Sequence, residues 1–211
     1  MTKYFKSRFT PDNRRSKVWI YLSRYLQKFI STDSVLLEVG PGYCDFINQV
    51  SAKKKLAFDI EPEVSNFANS DVDVFIGNAI ELKGIQSDFI DVVFASNFLE
   101  HLTRKESDIF LKSTRRVLKD NGLLILMQPN YRYSSKVYFD DFTHKSIYSH
   151  VSIRDYLSSM DFEVLKIDKK FMPFTLKSRA SFLTFLVPLY LKFPYKPFAK
   201  QMLVISKKIK V

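Results

Sequence analysis

Apolar positions fall first at helical and then at strand spacing along this chain. Val18, Leu22, Tyr25, Leu26 and Phe29 recur at three- and four-residue intervals after Pro11-Asp12-Asn13, which predicts an amphipathic helix over about 14–30. Short apolar runs then alternate with polar or helical stretches. Ser34 to Val39, Leu56 to Asp59, Val72 to Ile76, Phe89 to Ala95 and Leu123 to Met127 read as five strands. Helices are predicted over about 43–51 and about 104–118, and Asn121-Gly122 ends the second of these units. Ser152-Ile-Arg-Asp155 has the form of a capping box opening a helix to about Met160. Phe162 to Ile167 and Met202 to Ser206 are further strands, separated by a segment, 171–199, rich in Phe, Tyr, Pro and Lys.

Strands that are apolar on both faces and alternate with helices predict an α/β fold: a Rossmann-like, seven-stranded, mostly parallel sheet covered on both sides. Four stretches of one domain follow: an N-terminal helical extension (1–33), a core with an acceptor loop (34–170), an aromatic and basic insert (171–199), and a last strand with a basic tail (200–211). Ligands in such sheets bind outside the carboxyl ends of the strands.

Composition narrows the function classes. At 46% hydrophobic and 15% aromatic residues the chain can pack a core. The single cysteine, Cys44, excludes a disulfide framework and multi-cysteine metal centres. The charged N-terminus does not read as a secretory signal, and Ala180 to Leu191 is too short to span a bilayer, so a cytoplasmic protein is expected. The net charge of +11 is uneven: Lys and Arg dominate residues 1–30 and 166–211, while Asp and Glu dominate the middle. Basic ends around an acidic centre suit contact with something anionic.

The candidate chemistry begins where the first strand ends, at Glu38-Val39-Gly40-Pro41-Gly42-Tyr43. Two glycines allow a sharp turn and a close backbone approach to a ligand. A dinucleotide fingerprint would want a third glycine at position 45, where the chain has Asp45. Asp59 closes the second strand, placed to accept hydrogen bonds from ribose hydroxyls. Two acids and no phosphate cradle point to a nucleoside with a cationic tail, which describes S-adenosylmethionine.

With these residues in view the sequence resembles the class I S-adenosylmethionine-dependent methyltransferases, of the type 11 and type 23 kind found in glycan and small-molecule pathways. Val35 to Gly42, Phe58-Asp59-Ile60, Phe75 to Ala79 (FIGNA), Phe89 to His101 (FIDVVFASNFLEH), and Arg116 to Gly122 followed by LLILMQPN carry the resemblance in order. It implies cofactor contacts from Glu38, Gly40, Pro41, Gly42, Tyr43, Asp59, Ile60, Asn78, Ala79, Ser96 and Asn97, with S-adenosylhomocysteine as product. Cys44 stands where the family often has a third glycine, and Asn78 where it usually has Asp.

For the acceptor the resemblance singles out Tyr138 to His144 (YFDDFTH), with His144 expected as general base and Asp140 as its orienting acid. Some relatives bind magnesium through Glu-x-x-Glu-His and a later His. Asn97 replaces the first Glu, so no metal is expected, and Glu100 and His101 read as pocket lining or helix capping. The expected activity is methylation of an oxygen on a saccharide, lipid-linked or small-molecule acceptor, with nucleic acid ranked below these. In the insert, Phe182, Phe185, Leu186, Leu189, Tyr190 and Leu191 lie among Lys177, Arg179, Lys192, Lys196 and Lys200, as in a segment resting on an anionic membrane face. A lid or dimer face would hide the same aromatics. Two rival functions are a nucleotide-dependent oxidoreductase and a non-catalytic membrane-surface protein with a relic pocket.

Overall fold

A computed structural model describes residues 13–173 and 184–210. One seven-stranded sheet organises the chain, in the order β3-β2-β1-β4-β5-β7-β6. The strands are β1 (Val35–Val39), β2 (Lys54–Asp59), β3 (Val72–Ile76), β4 (Ile90–Ser96), β5 (Leu118–Pro129), β6 (Phe162–Pro173) and β7 (Ala199–Lys208). β1 to β5 are parallel, and β7 runs antiparallel between β5 and β6. The expected Rossmann-like architecture is therefore present, and the strand order reverses between β1 and β4.

Period-two alternation sends neighbouring side chains to opposite faces, so the sheet carries two cores. Leu37, Val39, Phe58, Val93 and Ala95 enter one, beneath α2 (Arg104–Val117) and α4 (Ser152–Ser159). Leu36, Ala57, Phe94, Ile125 and Leu203 enter the other, covered by α1 (Asn13–Leu26) and α5 (Val187–Lys192). A single turn, α3 (Tyr131–Ser134), lies between β5 and the loop that leads to α4. Phe94 sits 4.0 Å from the Phe46 ring and 6.2 Å from Trp19, tying α1 to the centre of the sheet.

Three local expectations change. Residues 43–49 wind through successive turns instead of a regular helix. Cys44 holds a positive φ of 57°, which interrupts helical backbone at its start. The helix after 151 lacks the capping box that Ser152-Ile-Arg-Asp155 suggests: its N-cap is Val151, with no side-chain cap bond, and Ser152 is already helical. Ser149 Oγ accepts from the Ser152 N–H at 3.1 Å while Ser149 N–H donates to Ser152 Oγ at 2.9 Å. The insert is also shorter, because β6 extends to Pro173 and β7 starts at Ala199. Lys177, Arg179 and Phe182 lie outside the described residues.

α2 does have a capping box: Thr103 Oγ1 accepts from Glu106 N–H, and the Glu106 carboxylate accepts from Thr103 N–H at 2.7 Å. Phe94→Ala, which empties the centre of a core, should lower the unfolding free energy by about 3–5 kcal/mol in chemical denaturation. Thr103→Ala, which removes only the cap, should cost about 1 kcal/mol in the same experiment.

Candidate functional site

The carboxyl ends of β1, β2, β3 and β4 form one edge of the sheet, and the residues expected to bind a nucleoside stand along it. At the exit of β1, Gly40 and Gly42 hold φ of 66° and 57°. A Cβ on Gly40 would lie 3.1 Å from the Phe98 ring, so this turn needs glycine for space as well as for conformation. Gly40 N–H donates to the Phe58 carbonyl at 3.0 Å, clamping the turn to β2.

Glu38 is buried under this turn, and its carboxylate accepts from the Ile47 N–H at 3.0 Å. Burial pushes its carboxyl well above the usual range, against that one hydrogen bond, and the nearby Asp45 and Asp59 push the same way. Asp59 is also buried and raised by desolvation, while the N–H groups of Glu61, Gly42 and Ile60 favour its charge. It accepts from Glu61 N–H at 2.9 Å, which fixes the carboxylate at the strand end. Next to it Ile60 is 66% exposed, an apolar side chain set beside a ribose-type acid with no protein over most of its surface. That pairing fits a purine nucleoside.

Asp45, at the position of the missing glycine, turns toward α1. It pairs with Arg15 at 3.0 Å and accepts from Ser16 Oγ at 2.7 Å. The Arg15 guanidinium also lies 5.7 Å from the centre of the Tyr43 ring. This link was not legible, because 30 residues separate its partners in sequence. Asn78 is exposed after β3 and its Oδ1 accepts from Ile80 N–H, whereas Ala79 is buried. Ser96 ends β4 and Asn97 follows it. Asn97 Oδ1 accepts from Gln201 Nε2 at 2.9 Å, so this side chain reaches toward β7.

The second half of the site lies between β4 and the loop after β5. The Glu100 carbonyl accepts from the Lys145 and Ser146 N–H groups at 2.8 and 3.1 Å, and Ser146 Oγ donates to the Leu102 carbonyl. These bonds seat the loop on the end of β4 and bring Glu100, His101 and His144 together. One ligand atom of each lies within 4.8 Å of the others, and the two imidazoles are 4.9 Å apart. Both Glu100 carboxyl oxygens are buried without a hydrogen-bond partner among the described residues. His144 Nδ1 is 2.7 Å from the Tyr138 carbonyl, so in the neutral ring Nδ1 carries the proton and Nε2 the lone pair. Asp140, expected as the orienting acid, is exposed at the end of the preceding turn, and the Tyr138 carbonyl is a second group that orients the ring. His101 Nδ1 lies 2.8 Å from Thr143 Oγ1, which donates to Asp141 at 2.6 Å.

Glu100 and His101 were expected to line the pocket or cap the following helix, and the structure joins them to His144 in one cluster, with Glu100 and His144 buried and His101 half-buried. The three groups can accept a proton from an acceptor or hold a divalent ion of the kind that imidazole suits. A Glu-His pair with a later His was visible in the sequence, but only the seating of the loop reveals that they meet.

Two pKa shifts in the cluster oppose each other. Burial drives Glu100 up to about 8 and His101 down to about 4, the latter aided by His144. The depressed histidine contributes stability that is present above its unfolded pKa and is lost as pH falls toward 4. The raised carboxyl contributes stability at low pH that is lost as pH climbs toward 8. Glu100→Gln removes only the second. Its stability should therefore gain on wild type by on the order of a few kcal/mol between about pH 5 and 8, read by urea unfolding at each pH.

Residues 37–126 match the family described as a methyltransferase domain. No curated protein matches the chain in sequence. A S-adenosylmethionine-dependent methyltransferase from Archaeoglobus fulgidus superposes with a TM-score of 0.65 at 19% identity, covering 90% of this chain and 94% of that one. A putative methyltransferase from Bacillus halodurans gives 0.65 at 16% identity, over 89% and 99%. A structure described as the complex between the Haloferax volcanii Trm112 methyltransferase activator and the putative methyltransferase gives 0.69 at 11% identity, over 93% and 92%.

Proposed function

We propose that the chain, whose residues 37–126 match a methyltransferase domain, uses S-adenosylmethionine to methylate a hydroxyl oxygen of a saccharide or lipid-linked acceptor. The observation that carries the acceptor reading is the Glu100, His101 and His144 cluster beside the cofactor edge, a place where a hydroxyl proton can be received. The cofactor, when bound, supplies an electrophilic methyl group on a sulfonium.

Each residue then has a physical task. Asp59 accepts from the ribose hydroxyls, and Ile60 covers one face of the adenine. The Gly40–Gly42 turn lets backbone approach the amino-acid end, and Glu38 beneath it, held by the Ile47 N–H, is the acid nearest a cationic tail. Tyr43, Ala79, Ser96 and Asn97 close the remaining sides, and Asn78 receives the adenine amino group. His144, oriented through Nδ1, takes the acceptor proton at Nε2 as the oxygen attacks the methyl carbon. Asp140 lies on the exposed side of that loop, where a sugar hydroxyl would be held.

Asp59→Ala should weaken S-adenosylhomocysteine binding by about 1.5–3 kcal/mol, measured by calorimetry, as a charge-assisted pair of hydrogen bonds is lost. Since burial raises the Asp59 pKa, wild-type affinity should begin to fall, as pH is lowered, above the ordinary carboxylate range. Asp59→Asn should flatten that part of the profile. An unchanged dissociation constant in the alanine variant would take Asp59 out of the site.

His144→Ala should lower turnover by about 10²- to 10⁴-fold with little change in S-adenosylhomocysteine affinity. The assay acceptors are glycans and their lipid-linked forms, followed by transfer of labelled methyl. Turnover that survives a chelator assigns the proton to the imidazole. Turnover lost with the chelator and restored by a divalent ion would replace the base with a metal at the same three residues.

A further inference from the structure

The segment leading into β7 has two apolar sides and only one of them is used. On α5, Val187, Tyr190 and Leu191 pack into the core beneath α1. Leu186, Leu189 and Phe193, at the complementary helical positions, point outward and are exposed. Phe185, Tyr195 and Phe198 extend the same character on either side of the helix, and Phe198 is 85% exposed.

These side chains are held in place. Tyr190 Oη donates to the Pro197 carbonyl at 2.8 Å, and Lys196 Nζ is 2.6 Å from Asp168. Phe198 adopts a positive φ of 61°, a conformation that costs energy for a bulky residue. Its ring nonetheless projects into water, so that cost returns no internal contact. A row of fixed apolar side chains facing water needs an external partner.

Charge identifies the partner. Residues 169–211 contain ten Lys and Arg and no Asp or Glu. Lys192 is exposed within the apolar row. α1, which packs against α5, presents Lys17 and Arg24 to solvent and contains no acid. Lys196, Lys207, Lys208 and Lys210 pair with acids from other parts of the chain. The exposed Lys192, Lys17 and Arg24 leave a basic rim around the apolar row, and apolar groups that insert beside such a rim match an anionic bilayer surface. A second copy of the chain would bring the same positive field against itself.

Location ties this surface to the site. Gln201, three residues after Phe198, pairs with Pro129 at the carboxyl end of β5 and donates to Asn97. Asn130 N–H donates to the Lys200 carbonyl at 2.8 Å. The acceptor loop presents Phe139 and Phe142 to solvent at the same end of β5.

We propose that the outward face of α5 and the loop 193–198 docks on an anionic membrane, setting the acceptor side of the site against the headgroups so that a lipid-linked hydroxyl can reach it. The membrane contact stands on exposure and charge alone, and only the lipid-linked acceptor rests on the methyltransferase reading.

The test is co-flotation of the full chain with phosphatidylcholine vesicles, with and without phosphatidylglycerol, over a salt series. Wild type should bind the anionic vesicles, bind neutral ones less well, and keep a residual affinity at high salt. Phe185→Ser/Leu189→Ser/Phe198→Ser changes only exposed positions, so its melting temperature and S-adenosylhomocysteine affinity should match wild type. Its affinity for anionic vesicles should fall by about a hundredfold, the scale for losing three partly inserted apolar side chains. Absence of wild-type binding at low salt, or equal binding by a stable triple variant, would overturn the proposal. So would a concentration-dependent dimer of wild type that the variant abolishes without any effect on vesicles. The S-adenosylhomocysteine titration on the same samples separates these outcomes from failure of the cofactor reading.

Discussion

The parallel direction of β1 to β5 is the constraint on which the rest of the structure depends. Parallel strands finish at one edge, and at that edge the chain must leave the sheet in turns that carry no ladder hydrogen bonds. Val39, Asp59, Ile76 and Ser96 end there within hydrogen-bonding distance of one another's strands, because β1 pairs with β2 and β4 and β2 pairs with β3. Gly40, Gly42 and Asn97 take positive φ at the same boundary. The apolar strands supply stability, and their exits supply the chemistry.

Two buried carboxyl groups with different surroundings divide the site. Glu38 has its own backbone donor at Ile47, and its burial serves the turn above it. Glu100 has no donor among the described residues and lies beside two imidazoles. A buried acid without a partner is costly, so it survives where the neighbouring groups use it. The loop from 138 to 146 gives this difference its meaning. By closing on the Glu100 carbonyl it sets His144 beside an acid from another part of the chain, and in doing so it sets Phe139 and Phe142 outward.

Legibility in the sequence followed the range of the interactions. The five parallel strands and α2 were readable because burial on both faces and helical periodicity are properties of a few consecutive residues. The glycine turn and the acid at the end of β2 were readable for the same reason: each needs one strand end and the residue types beside it. Residues 43–49 misled, since their apolar spacing is helical while the positive φ at Cys44 follows from packing against β1 and Val64. Ser152 does not cap α4, because its Oγ is taken by the Ser149 N–H in the turn before the helix, a pairing that turn geometry decides.

By itself the sequence determined the sheet, its mostly parallel sense, and the strand ends that carry the glycine turn and the acids Glu38 and Asp59. Only the tertiary structure decided that Tyr138 orients His144, that Glu100 and His101 join it, that Asp45 reaches back to Arg15, and which side of α5 faces water. The physical reason is separation along the chain. Glu100 and His144 meet through a loop seated by backbone hydrogen bonds, and side-chain pattern does not encode which carbonyl a distant N–H will find. For α5, apolar residues on both sides of a helix leave its orientation open until the sheet and α1 take one of them.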